Sequence, residues 1–257
     1  MSNTIHSSAV ISSQAKLGQG NDIGPFVVIE DDVVLGDNNR LLTGVVLKNG
    51  CRIGNDNRLH EYTVLGGIPQ DLGYSDMRSY VQVGNNNVLR EYVTINRASK
   101  PEKATVIGND NFLMTQIHLG HDCVLGNRVI IAPGTGLGGH VHVADRAFIS
   151  GGVMVHQFVH IGTLAMVGGN AKITQDALPF MITDGVPGRV HGLNVVGLRR
   201  AGFHRDEVRA LKQAYQLLFR SGQSLSEILD QLAQTSSPHV SQLADFISIS
   251  KRGFHRE

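Results

Sequence analysis

The sequence predicts a parallel β-helix followed by a smaller α-helical region, and three observations lead to this prediction. An aliphatic residue recurs at every sixth position over most of the chain. Aromatic residues make up only 5% of the 257 residues, whereas glycine is frequent, with 30 residues. After about residue 177 the six-residue period stops, and apolar residues recur at helical spacing instead.

The aliphatic repeat predicts a β-helix because a six-residue unit with one inward side chain cannot bury that side chain alone. The repeat begins at Ile5 and ends at Ile173, and every position in phase holds Ile, Leu or Val. Three units form one triangular coil of about 18 residues, and coils stacked about 4.8 Å apart bury the aliphatic columns. The number of units predicts about eight to nine coils.

The corners of the coils are expected to need positive φ, which glycine and asparagine adopt most readily. Glycine often follows the aliphatic position, as in Gly18, Gly24, Gly36, Gly54 and Gly126. A second inward position holds a small or β-branched residue, and Cys51 and Cys123 occupy it. Two cysteines are too few for a disulfide scaffold, so we expect both to be inert core thiols.

Two interruptions break the repeat, at about residues 66–82 and 97–106. An insertion into a solenoid leaves at a corner as a loop, often beside a binding face. The β-helix with these two loops is predicted to span residues 1–190. Residues 191–257 are predicted to form an α-helical C-terminal domain.

Helix signals in the C-terminal domain are local and specific. Residues 205–220 form an amphipathic stretch, Gly222 follows as a stop signal, and Ser224 with Glu227 forms a capping box. A further amphipathic stretch follows Pro238. Such a tail would cover the open end of the β-helix or pack on a neighbouring subunit.

Composition excludes several classes of function. Lys and Arg total 23 and Asp and Glu total 22, so the net charge of +1 gives no electrostatic argument for binding nucleic acid. No run of about 18 apolar residues occurs, and the start MSNTIHSSAV lacks the basic and apolar regions of a signal peptide. We therefore expect a cytoplasmic protein without stable membrane insertion.

Polar residues at one corner form the candidate site. Because one coil is about 18 residues, His121, Gly139 and Gln157 stack in one column. The next column contains Asp122 and His140, and near the same edge we expect His118, His156 and His160. An imidazole beside a carboxylate is a plausible general base, and a glycine N–H can stabilise an oxyanion. This pattern favours direct acyl transfer to a hydroxyl group.

Two other functions stay open at this stage. The pairs His118 with His121 and His156 with His160 have spacings that could bind zinc, as in a zinc-dependent hydrolase or lyase. A non-catalytic solenoid scaffold would use none of these side chains. The acyltransfer hypothesis needs no metal.

A site at a corner is half exposed and excludes water poorly. Three prisms packed side by side would place each corner in a cleft against a neighbour. We therefore expect a homotrimer with its sites between subunits.

Several motifs are far more specific than the repeat. They are IGPFVVI, PQDLGY, NFLMTQIHLGHDC, GGHVHV, VHQF, MVGG, NVVGLRRAGF and AYQLLFRSG. Together they cover nearly the whole chain and resemble the acyl carrier protein-dependent UDP-N-acetylglucosamine O-acyltransferases, hexapeptide-repeat enzymes that open lipid A biosynthesis. The resemblance implies a left-handed β-helix. It also implies transfer of a 3-hydroxyacyl chain from the phosphopantetheine thioester of acyl carrier protein to the 3-position of the UDP-amino sugar, without a cofactor.

The resemblance implies roles for individual residues. His121 would be the general base, Asp122 would orient it, and the Gly139 N–H would hold the oxyanion. Residues implied to bind the sugar or line the acyl groove are Gln70, Asp71, His118, His140, His156 and Gln157. Asn194 and Arg200 match positions near the nucleotide. Gly169 matches the residue that closes the acyl groove, and its lack of a side chain implies a long acyl chain.

The chain departs from the family pattern near the sugar and the nucleotide. Gly73 stands where the family often has Lys, and residues 96–99 read Asn-Arg-Ala-Ser in place of His-Arg-Gly-Thr. Val196 and Ala201 replace an acidic residue and a second Arg. Because Gly73 and Asn96 make the sugar site less positive, two acceptors stay open, UDP-N-acetylglucosamine and its 3-amino analogue.

Overall fold

The predicted β-helix is present in the computed structural model of the chain, which describes residues 2–257. Short parallel strands wind around a triangular prism, and a two-stranded hairpin and a group of helices follow. Most strands are two residues long, because a corner turn bounds each one.

The strands of the prism are β1 Thr4–Ile5, β2 Val10–Ile11, β3 Lys16–Leu17, β4 Asp22–Ile23, β5 Val28–Ile29, β6 Val34–Leu35, β7 Arg40–Leu41, β8 Val46–Leu47, β9 Cys51–Ile53, β10 Arg58–Leu59, β11 Val64–Gly67, β12 Tyr80–Val83, β13 Val88–Leu89, β14 Thr94–Asn96, β15 Ala104–Ile107, β16 Phe112–Leu113, β17 His118–Leu119, β18 Val124–Leu125, β19 Ile130–Ile131, β20 Gly136–Leu137, β21 His142–Val143, β22 Phe148–Ile149, β23 Met154–Val155, β24 His160–Ile161, β25 Met166–Val167 and β26 Lys172–Ile173. The hairpin is β27 Met181–Asp184 and β28 Arg189–Leu193. The helices are α1 Val195–Arg200, α2 Arg205–Arg220, α3 Leu225–Ala233 and α4 Pro238–Ile249.

Every third strand belongs to the same face of the prism. Sheet A contains β1, β4 and so on to β25, then β27 and β28; sheet B runs from β2 to β26, and sheet C from β3 to β24. The chain passes from A to B to C in each coil. The segments 68–79, between β11 and β12, and 97–103, between β14 and β15, both leave from the corner between sheets B and C. We call them the first and second insertions.

The aliphatic positions of the repeat form continuous buried columns. Ile23 pairs with Leu41, and Leu41 with Leu59, and all three are almost completely buried. Ile5, in the first coil, is 48% exposed because no coil packs beneath it. Both cysteines lie in this core, where burial raises the pKa of each thiol to about 12, so the expectation of inert core thiols is confirmed.

The predicted reason for the glycines after the aliphatic positions was wrong. Gly18 and Gly36 do not have positive φ; instead, a Cβ on Gly18 would lie 2.6 Å from Gly36 O in the next coil. Positive φ occurs elsewhere in the corners, including at Phe26 and Tyr62. At the corner between sheets C and A, buried asparagines form a ladder in which Asn39 Nδ2 donates to Asn21 Oδ1 and Asn57 Nδ2 donates to Asn39 Oδ1.

The outer face of sheet A carries one row of apolar side chains. In five successive strands, the residue that points away from the core is apolar and only partly buried, and these residues pair in register. This apolar row consists of Val88, Phe112, Ile130, Phe148 and Met166.

The helical region covers the end of the prism. Helix α2 has the predicted bounds, and the Ser224 and Glu227 capping box begins α3. Phe180, from the end of the prism, packs in one buried cluster with Leu211 of α2 and Leu243 of α4. The hairpin and α1 were not predicted. No helix in residues 2–257 is both long and apolar enough to cross a membrane.

Candidate active site

An open pocket of about 460 Å³ lies over the outer face of sheet B, beside the corner between sheets B and C. Six of the residues predicted for the site line this pocket: Gln70, His118, His121, Gly139, His156 and Gln157. His121 and Asp122 lie in the turn between β17 and β18. The predicted 18-residue stacking is confirmed, because the preceding strands pair in that register and a Cβ on Gly139 would lie 2.6 Å from the His121 ring.

His121 has one ring nitrogen held and the other directed toward the next coil. Its Nδ1 lies 2.7 Å from Asp122 Oδ2, and both side chains are only 13% exposed. A carboxylate next to Nδ1 favours the tautomer in which Nδ1 donates its proton, which leaves Nε2 with a free lone pair. The arrangement therefore suits proton abstraction at Nε2.

Asp122 stays ionised in this setting. Burial alone would raise the pKa of its carboxyl group, but hydrogen bonds from Ser99 and His121 and the charge of His140 hold the pKa below its usual value. The Ser99 N–H donates to Asp122 Oδ2 at 3.0 Å. An ionised carboxylate stabilises the imidazolium form that His121 would adopt during proton transfer.

Gly139 lies directly beneath the His121 ring. A Cβ at this position would be 2.6 Å from both Cε1 and Nε2 of His121, so only glycine fits without moving the ring. The Gly139 N–H donates no hydrogen bond within residues 2–257. It is thus an unpaired donor next to Nε2, as an oxyanion site requires.

His140, from the next coil, lies beside both His121 and Asp122. His140 packs edge-on to His121 with ring centroids 5.1 Å apart and stacks on Phe158 at 4.5 Å. Its Nε2 lies 3.6 Å from Asp122 Oδ2. Burial lowers the pKa of His140, although the negative charges of Asp122 and Asp71 act to raise it. His140 does not line the pocket.

His118 and His156 border the pocket on the outer face of sheet B. His118 Nδ1 lies 2.8 Å from Thr94 Oγ1, and burial lowers its pKa, so its imidazole is neutral at pH 7. His156 Nδ1 lies 3.0 Å from the Gln157 carbonyl oxygen. Since a carbonyl oxygen only accepts, His156 donates from Nδ1 and can accept at Nε2.

Besides Asp122 and His140, which do not line the pocket, four further predicted residues lie outside it. Asp71 is exposed on the first insertion, where its Oδ1 accepts from the Gly73 N–H. Gly169 lies at the opposite edge of sheet B, in the corner between β25 and β26. Asn194 caps α1 through Gly197 N and donates to Leu164 O, and Arg200 is exposed at the end of α1.

His160 does not line the pocket. It is the first residue of β24, just past the corner between sheets B and C, and it belongs to sheet C, where its ring lies 4.9 Å from that of His142. The ligand atoms that lie within 4.8 Å of one another here belong to His121, Asp122 and His140, not to the predicted zinc pairs.

Sequence reasoning missed several residues of this site. A Cβ on Gly120 would lie 2.8 Å from Gly139 N, and one on Gly138 would lie 2.8 Å from Gln157 N, so these glycines keep backbone donors accessible. Their 18-residue spacing was a usable signal. Asn96 was expected near the sugar, and it lines the pocket. The contact of Ser99 with Asp122 was not expected, because the insertions break the register.

Comparison with known proteins gives a consistent result. A family model described as UDP N-acetylglucosamine O-acyltransferase, domain 2, matches residues 176–255, and a model for the six repeats of bacterial hexapeptide transferases matches residues 104–139. The acyl-(acyl-carrier-protein)–UDP-N-acetylglucosamine O-acyltransferase of Thermodesulfovibrio yellowstonii is 42% identical over 257 residues, covering 99% of this chain and all of the relative. The enzyme of the same name from Paraburkholderia phymatum is 42% identical over 259 residues, covering 98% and 99%.

Solved structures extend the likeness to the whole fold. The UDP-N-acetylglucosamine acyltransferase of Bacteroides fragilis superposes with a TM-score of 0.96 at 37% identity, covering 98% of this chain and all of that one. The corresponding protein of Francisella novicida gives a TM-score of 0.95 at 34% identity, covering 99% and 94%.

Proposed function

The chain belongs to the acyl-(acyl-carrier-protein)–UDP-N-acetylglucosamine O-acyltransferase family, and we propose that His121 is the general base of its reaction. Its fold is the left-handed parallel β-helix of that family with an α-helical C-terminal region. We further propose that the enzyme moves a 3-hydroxyacyl chain from acyl carrier protein to the 3-position of the UDP-amino sugar, as the first step of lipid A biosynthesis.

The observation that carries the proposal is the arrangement of His121 between Asp122 and Gly139. In the proposed step, Nε2 of His121 removes the proton of the acceptor hydroxyl group, whose oxygen attacks the thioester carbonyl carbon. The Asp122 carboxylate stabilises the resulting imidazolium, and the Gly139 N–H donates to the oxyanion. The C–S bond then breaks, and the imidazolium returns its proton to the thiolate of the phosphopantetheine arm.

The acyl donor supplies its own thioester, so we propose that the protein uses no cofactor or metal of its own. Gln70, Asp71, His118, His140, His156 and Gln157 would contact the sugar and the acyl chain. Neutral His118 suits this role because it can donate or accept a hydrogen bond without adding charge.

The acyl chain is proposed to run along the outer face of sheet B. Gly136 has no side chain and lies in the middle of this face, and Met154 from the next coil provides an apolar wall. Gly169 lies at the far edge of the same face from His121. Closure of the groove at Gly169 would therefore set the length of chain that fits.

A homotrimer is supported by the apolar row on sheet A. Five in-register apolar side chains on an outer face are costly to leave in water, and a second copy of the chain would cover them. We propose that the neighbouring subunit also closes the open pocket and brings Asn194 and Arg200 toward the nucleotide. We place the reaction in the cytoplasm, where UDP-sugars and acyl carrier protein are made.

The test is His121→Ala, assayed by mass spectrometry with acyl carrier protein thioesters and UDP-N-acetylglucosamine. We expect kcat to fall by a factor of roughly 10²–10⁴, the usual worth of general base catalysis, with little change in UDP-sugar binding. His142→Ala is the matched control, because His142 is a surface histidine on sheet C. Turnover like that of the unmodified enzyme in His121→Ala at pH 7 would refute the assignment of His121 as the base, whereas no turnover in the unmodified protein would favour a scaffold.

A further inference from the structure

The second insertion holds Asp122 from two sides. The Ser99 N–H, inside the insertion, donates to Asp122 Oδ2 at 3.0 Å. Thr105 Oγ1, on β15 just after the insertion, accepts from the Asp122 N–H at 2.9 Å. Thr105 is fully buried, so its hydroxyl group is a fixed acceptor. Backbone and carboxylate of Asp122 are thus each tied to this segment.

The orientation of the Asp122 carboxylate is set by hydrogen bonds, because its backbone conformation is that of the other corners: its φ is +60°, and those of His140 and Phe158 are +60° and +64°. Its Oδ2 accepts from both Ser99 N and His121 Nδ1. Two donors on one oxygen fix the rotation of the carboxylate, and the carboxylate in turn fixes the His121 ring.

The segment that carries Ser99 is itself anchored. Arg97, in the second insertion, donates from Nε to Tyr74 Oη at 3.1 Å and from Nη2 to Asp76 Oδ1 at 3.0 Å, both in the first insertion. Ser79 Oγ donates to the Ala98 carbonyl oxygen at 2.6 Å. The two insertions therefore form one hydrogen-bonded unit that ends on Asp122.

We propose that Ser99 is a positioning residue of the reaction, acting through Asp122 on His121. The proposal rests on the proposed role of His121 as the general base. Ser99 touches no reacting atom; its N–H selects the carboxylate orientation in which His121 keeps Nε2 free. In this structure the donor comes from the second insertion and not from a regular coil.

Ser99→Pro tests the proposal because proline lacks the N–H. With one donor fewer, the Asp122 carboxylate becomes more basic and stabilises the His121 imidazolium more strongly. We therefore expect the acid limb of the kcat profile to move upward by about half a pH unit, a threefold change in the protonation equilibrium. We also expect kcat to fall about tenfold, with the KM for UDP-sugar unchanged.

Ser99→Ala and Lys103→Ala complete the design. Ser99→Ala keeps the N–H and removes only the hydroxyl group, which also lowers the pKa of Asp122, so it should shift the limb in the same direction. Lys103 is exposed in the same insertion, and Lys103→Ala should change nothing. A purely structural role of Ser99 would lower the melting temperature without moving the limb.

The titration of the His121 ring, followed by NMR and assigned with His121→Ala, gives a readout independent of turnover. If the unmodified protein transfers no acyl group, the proposed function fails, while the NMR titration still reports on Ser99. If Ser99→Pro does not fold, Arg97→Ala decides, because it releases the segment that carries the Ser99 N–H and leaves Ser99 itself unchanged. Titration of His121 like that of the unmodified protein in Ser99→Pro, or in Arg97→Ala where Ser99→Pro does not fold, would overturn the proposal.

Discussion

Gly139→Ala is the sharpest perturbation of the proposed site, because it adds one methyl group at a known distance from the base. The new Cβ would lie 2.6 Å from Nε2 and Cε1 of His121, whereas ordinary van der Waals contact begins at 3.4 Å. The imidazole must therefore retreat by about 0.8 Å. The Gly139 N–H is kept, so the change separates the position of the base from the oxyanion donor.

The displacement predicts a large kinetic effect and a small effect on stability. A misplacement of about 1 Å can cost about a hundredfold in rate, so we expect kcat to fall by nearly that factor. Since the ring lies at a surface corner, the free energy of unfolding should change by less than about 1 kcal/mol. Gly222→Ala is the control, because no atom lies within 4 Å of its added Cβ.

The assay is steady-state acyl transfer at saturating UDP-sugar, together with thermal unfolding of each variant. Gly222→Ala should keep full kcat even though its φ of +72° strains alanine. If Gly139→Ala kept kcat within about threefold of the unmodified enzyme, a well-placed Nε2 would not be required, and the argument for His121 as base would fail.

Three further predictions address the substrates and the assembly. Gly169→Met should shorten the preferred acyl chain, because each excluded methylene loses about 0.8 kcal/mol; a panel of acyl carrier protein thioesters measures this, and an unchanged length profile would contradict it. Phe148→Glu, in the apolar row, should give a monomer of low activity in light scattering coupled to the assay, and a fully active monomer would reject the shared site. Gly73→Lys combined with Asn96→His should shift the kcat/KM ratio toward the 3-hydroxy sugar and away from its 3-amino analogue, since a cation repels an ammonium group. A wild-type ratio already favouring the hydroxy sugar by more than about a hundredfold would leave no room for the amino analogue.

The regular part of the molecule could be predicted because its register is set by the length of the repeat, six residues, with three repeats in each coil. Counting in sixes identifies the buried residues, and counting in eighteens places His121 above Gly139 and Asp122 beside His140. The same count pairs His160 with His142 on sheet C, because the two are 18 residues apart.

The irregular parts could not be predicted in this way. Ser99 reaches Asp122 only because the insertion leaves the coil and folds back, which no periodicity describes. The corner glycines were assigned to backbone conformation, whereas Gly36 is required because the next coil leaves no room for a side chain. Such close approaches depend on how neighbouring coils stack, and the composition of the chain does not reveal that stacking.

The regular coil and the two insertions contribute different groups to this corner. Stacked coils lie about 4.8 Å apart, so an imidazole on one coil and a backbone N–H on the next lie close together, as His121 and Gly139 do. A regular corner is also open to water and lacks side chains directed along the surface. The insertions supply what the coil cannot: Gln70 lines the pocket, and Ser99 orients the carboxylate. Both insertions leave from the corner that carries His121. The groups that the regular repeat does not supply therefore lie beside the proposed base.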